Sequence, residues 1–190
     1  MTAPGTITRH RSWFSRLAHN ERGIAATEFA LVLPIMVLML MGMVEVRGAV
    51  EAYGKALSAT QTVADLTSRA DSQTTTTMNV IASAAQRVLD PMPSGSDRLG
   101  IRVASIGIAT NGTPTLLWSY SFGGATDAPN LEAARGLASP GESVIMVNLT
   151  YIHPPLLKDI VGTLTTRETA WSRPRLVRLI PYNGSTGVLP

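Results

Sequence analysis

The chain contains no cysteine. That excludes disulfide frameworks, thiolate metal sites and cysteine nucleophiles together, and a domain placed outside the cytoplasm must then hold by packing alone. Aromatic residues make up 5% of the sequence, too few to build stacking platforms for nucleic acid or sugar. Charged residues are 15%, low for a water-facing fold, against 45% apolar residues. Part of the apolar material must therefore lie outside any soluble core. Over 190 residues, this composition reads as one domain plus a membrane segment.

Net positive charge is confined to one place. The net charge is +3, and residues 1–23 account for it: Arg9, Arg11, Arg16 and Arg22 stand against Glu21 alone. The rest of the chain carries 12 basic and 12 acidic side chains. An excess confined to the flank of an apolar run holds that flank in the cytoplasm, so the basicity is topological and no nucleic-acid partner is expected.

The apolar run is Ile24 to Val44, 21 residues in which Thr27 and Glu28 are the clearly polar ones. As a helix it spans about 31 Å, the thickness of a bilayer's hydrocarbon core. A cleaved secretory signal has an apolar stretch of about 7–15 residues and a small-residue cutting site, which this run does not match. It reads as a signal anchor in the bilayer, with residues 46–190 outside the cytoplasm. Pro34 lies within it, where a bend or a loosened turn is expected.

Helical spacing continues past the span through Val46, Val50, Tyr53, Leu57, Thr60 and Ala64, with Glu51 and Lys55 placed as an i, i+4 ion pair. They make the segment to about Arg69 an amphipathic stem that extends the membrane helix. Gly42, Gly48, Ala49, Ala52 and Gly54 permit close approach of another element, either the chain's own domain or a neighbouring helix. "DSQTTTT" (71–77) breaks this helix and offers caps for a second, with Ile81, Ala84, Ala85 and Val88 on one face and Asp90-Pro91 as its stop.

Beyond Pro91 the period changes to two. Leu99, Ile101 and Val103 alternate; "TNGTP" (110–114) supplies an Asn-Gly turn; Leu116, Trp118, Tyr120 and Phe122 alternate again, which predicts a β-hairpin. "PNLEAARG" (129–136) suits a helical turn. Ile145, Val147, Leu149 and Tyr151 mark a third strand ending at His153-Pro154, and "TLTTRETAWSR" (163–173) a fourth. The fold class is α+β: a long N-terminal helix continuing as a stem, a second helix, then a small antiparallel sheet. The expected organisation is a basic leader (1–23), a transmembrane helix (24–45), a helical stem (46–70), an extracytoplasmic domain (71–173) and a tail without clear period (174–190).

No enzymatic signature is present. The histidines are His10, His19 and His153, with no metal-ligand spacing between them, and a site built from His153 and Asp159 is not supported. There is no nucleophile elbow, phosphate-binding loop or dinucleotide fingerprint, and no cofactor or metal is expected. Asn111, Asn148 and Asn183 begin N-x-[ST] triplets, and Asn111 is better explained by its turn.

One constellation remains: basic residues, Arg22-Gly23, then "IAATEFALVLP" opening the apolar helix. This resembles the processing motif of type IV prepilins, which a membrane aspartyl peptidase cuts after the glycine on the cytoplasmic side. Over residues 22–50 the sequence resembles the TadE/TadG-like proteins of the tight-adherence (Tad/Flp) pilus system, and "VASIGIATNGTPTLLWSY" and "VNLTYIHPP" resemble that family's outer portion more loosely. The resemblance implies a minor pilin or pseudopilin of the bacterial inner membrane, non-enzymatic and required for pilus assembly. It implies Gly23 as the residue before the scissile bond, Ile24 as the new N-terminus, and Glu28 as the partner of a neighbouring subunit's freed amine. Implied partners are the prepilin peptidase, other Tad pilins met through the N-terminal helix, and the inner-membrane assembly platform. The competing expectation is an uncleaved, signal-anchored envelope protein whose outer domain binds a ligand or carries an enzyme.

Overall fold

The computed structural model describes residues 21–155 and 162–189. The chain divides into two compact units, Met1–Val44 and Glu45–Pro190. Helix α1, Glu21–Ser68, contributes to both.

In the first unit, every side chain from Ile24 to Val44 is exposed except half-buried Gly42. Fourteen of them are large and apolar. Leaving so many in water would cost on the order of tens of kcal/mol at about 1.5–3 kcal/mol each, so this stretch needs an apolar surrounding. By length and composition it fits a single-pass membrane anchor. The helix runs through Pro34 without a break.

The second unit is built on a four-stranded antiparallel sheet of β1 (Leu99–Ile108), β2 (Pro114–Gly123), β3 (Ser143–His153) and β4 (Leu164–Ser172), in the order β2-β1-β3-β4. The hairpin turn forms as the Asn-Gly signal requires. Asn111 Oδ1 accepts from the Thr113 amide at 2.9 Å, and Gly112 takes the left-handed conformation at φ +81°. The alternation on β2 holds through Phe122, Tyr120 and Trp118 and then fails. Between Ser105/Trp118 and Ile106/Leu116 the register slips by one residue. Leu117 is the extra residue: it packs against the core, while Leu116 is exposed.

The sheet is covered on both faces. On one, Leu99, Ile101, Val103, Ile145, Val147, Leu149 and Tyr151 meet α1 and α2 (Thr75–Leu89). On the other, Ala104, Ile106, Val144 and Met146 pack with Ala134 and Ala138, from a segment containing the short 3₁₀ turn Glu132–Ala134. This is why β1 is buried at nearly every position and β3 along its first half, while β3 alternates from Val147 to Tyr151. The whole chain is thus α+β in the order expected: long apolar helix, second helix, antiparallel sheet.

Helix α2 starts at a capping box made from two threonines. Thr74 Oγ1 accepts from the Thr77 amide at 3.2 Å, and Thr77 Oγ1 accepts from the Thr74 amide at 2.8 Å. Its buried face is Met78, Ile81, Ala82, Ala85 and Leu89, so Ile81 and Ala85 lie as expected, while Ala84 and Val88 are half-buried.

The tail from Pro174 has no regular element, yet it closes the domain. Ile180 is fully buried, and its carbonyl accepts from Trp118 Nε1 at 2.7 Å. Tyr182 stacks on Trp118 with ring centroids 5.1 Å apart. The Gln73 amide donates to Pro181 O, and the Asn183 amide donates to Gln73 O. Backbone hydrogen bonds and one aromatic stack replace periodicity here, so a hydrophobic pattern carries no trace of them.

Candidate assembly helix

Helix α1 carries two longitudinal stripes beyond the span, and the structure chooses the one made of small residues. Ala52, Ala56 and Ala59 are 0% exposed against the core, followed by Thr60, Val63, Ala64, Thr67 and Ser68. The buried hydroxyls cost little, because Thr60 and Thr67 each donate back to the carbonyl four residues earlier at 2.7 Å. Of the stem's periodic positions, Thr60 and Ala64 face the core, whereas Val46, Val50 and Tyr53 are 64%, 66% and 52% exposed and point away from it. Both stripes repeat every three to four residues and lie next to each other around the helix, so period alone cannot separate them. The buried stripe is the one richer in small residues, with Val63 its largest apolar member.

The other small residues divide similarly. Gly48 passes the ring of His153, whose Nε2 would lie 3.4 Å from a Cβ added there, whereas such an atom at Gly42 or Gly54 meets open space. His153 Nδ1 is buried without a hydrogen-bond partner among the described residues. Asp159, considered beside it in sequence, lies outside the described residues, as do His10 and His19. Glu51 and Lys55 form the expected pair at 3.4 Å, and Lys55 Nζ also donates to Asp90 O, tying α1 to the end of α2. Glu45, at the start of the second unit, is buried.

At the start of α1, Gly23, Ile24 and Glu28 are all exposed. Thr27 Oγ1 donates to Ile24 O at 2.8 Å, which satisfies that hydroxyl within the helix. Glu28 lies one turn beyond Ile24 and makes no hydrogen bond or ion pair among the described residues. No three His, Asp or Glu side chains among the described residues are grouped to hold a metal ion.

Two shifted groups belong to the core. Burial raises the Tyr120 hydroxyl above its ordinary value, with nearby Tyr182 adding to it, and burial raises Tyr151, with Arg98 acting in the opposite sense. Tyr120 Oη donates to Asn79 Oδ1 at 2.6 Å and Tyr151 Oη to Pro93 O at 3.2 Å, so each neutral hydroxyl is used in packing.

Residues 23–65 match the family model for TadE-like proteins. Comparison with curated proteins and with solved structures returns no match. The matched interval opens at Gly23 and takes in the apolar span and most of its helical continuation. Over residues 23–65, less than a quarter of the chain, the sequence is similar to TadE-like proteins.

Proposed function

We propose that this protein is a TadE-like minor pilin or pseudopilin. It sits in the bacterial inner membrane with its N-terminus cytoplasmic and the α+β domain periplasmic, and it serves assembly of a Tad (type IVb) pilus. A prepilin peptidase removes residues 1–23 after Gly23, and α1 then joins other pilins and the assembly platform.

The observation that carries this reading is Glu28, a carboxylate with no partner among the described residues, one turn into an apolar helix. An ionised group within a bilayer costs roughly 2.5–3.5 kcal/mol at the helix centre and less toward the ends, unless a partner meets it. Cutting before Ile24 creates an ammonium about 6 Å along the helix from Glu28, and in low dielectric the two charges offset each other's desolvation only when paired. A neighbouring subunit's amine gives Glu28 that partner, which makes it an address for assembly. The outward Val46, Val50 and Tyr53 support the same reading, since they extend large apolar side chains on α1 past the span.

Replacing Glu28 by Ala tests it. The expected result is loss of pili with membrane insertion of the protein retained. Normal piliation would instead favour an anchored envelope protein in which Glu28 merely reaches the aqueous interface.

A further inference from the structure

Where the chain leaves β4 it passes the start of β3, and the two enclose an open cleft of about 320 Å³. Three arginines line it, Arg173, Arg175 and Arg178, against one acid, Glu142. Arg175 is occupied, donating to Asp65 Oδ1 at 2.7 Å, and Asp65 also holds Arg69 at 2.7 Å. Glu142 is engaged too, its Oε2 accepting from the Ser139 amide at 3.2 Å. Arg173 donates to the Leu137 carbonyl, and neither it nor Arg178 meets a carboxylate among the described residues. In a segment from Ile24 onward with equal numbers of acids and bases, that is a local excess of positive charge.

The backbone beneath these side chains is fixed. The Arg175 amide donates to Ser68 O at 2.9 Å, and Ser143 donates to Arg178 O through both its amide and its Oγ, at 3.1 and 3.0 Å. Arg178 is thus held by its main chain while its guanidinium remains exposed. Between the arginines stands Leu176, 69% exposed. A guanidinium presents a rigid fork that matches a carboxylate.

We propose that this cleft is a docking site for an acidic segment of another protein, one carrying carboxylate side chains beside an apolar residue. Charge complementarity selects the acid, and Leu176 selects the apolar neighbour. A bare phosphate would leave Leu176 unused. A nucleic-acid strand would want aromatic faces and a longer groove. Docking here does not require processing after Gly23.

The test is fluorescence anisotropy with the full chain in non-ionic detergent and a short fluorescein-labelled peptide alternating aspartate and leucine. The expected result is saturable binding that weakens with salt. It should fall about tenfold or more for Arg178→Gln, as for loss of a charged hydrogen bond, and equally when asparagine replaces the aspartates. Arg178→Lys should recover part of the loss, and thermal unfolding should be unchanged by either variant. Absence of saturable binding, or equal binding by Arg178→Gln, overturns the proposal. So does preferential binding of inorganic phosphate or of phosphatidylglycerol vesicles, which would assign the cleft to a phosphate.

Discussion

Substitutions on the two stripes of α1 should have opposite consequences. Ala56 is fully buried between α1 and the sheet, on the same face as Ala52 and Ala59. Ala56→Leu forces three additional carbons into a site closed to solvent, and overpacking of this kind costs about 1–3 kcal/mol. For a unit the size of Glu45–Pro190 this corresponds to a melting temperature lower by roughly 2–12 °C. Val50 lies on the neighbouring stripe and is exposed. Val50→Ser changes helix propensity little and, as a surface substitution, should stay within about 0.5 kcal/mol. Thermal unfolding of the full chain in detergent, followed by near-ultraviolet circular dichroism, separates the two. In cells the order should reverse, with Val50→Ser lowering pilus yield despite normal stability. Equal destabilisation by the two substitutions, or none by Ala56→Leu, would refute the assignment of the alanine stripe to the core.

Other expectations are local. Trp118→Phe leaves the buried Ile180 carbonyl without its donor, so it should cost about 1–3 kcal/mol and speed proteolysis within residues 174–189, read by urea midpoint and limited digestion. Thr74→Ala removes the cap of α2 and should cost about 1 kcal/mol in the same unfolding assay. The hydroxyls of Tyr120 and Tyr151 are raised above the ordinary 10.0 in the folded chain. Their contribution to stability is therefore complete below pH 10 and is lost as pH rises through the folded values. Stability measured against pH should fall above pH 10, and less steeply when both are replaced by Phe.

Much of the fold was legible because local chemistry and pattern agreed. The Asn111-Gly112 turn, the alternation on β1 and β3 and the stop at Asp90-Pro91 each have a short-range cause. Three features had none. The slip at Leu117 depends on how β2 meets β1, so Leu116 was assigned to the wrong face. The choice between the two stripes of the stem was open to period alone, and burial assigns Ala52, Ala56 and Ala59 to the core. The tail is held by Trp118, Gln73 and Ser143, partners far away in sequence. At the candidate site, the charge confined to residues 1–23 and the Glu28 carboxylate inside the apolar run were visible from the start. The arginine cleft was not, because Glu142 and Arg178 come together only once β3 and the tail are in place.

Sequencing the N-terminus of the protein purified from cells with an active prepilin peptidase tests processing after Gly23. The expected mature chain begins at Ile24, with Glu28 as its fifth residue. Recovery of chains that all retain residues 1–23 would contradict it.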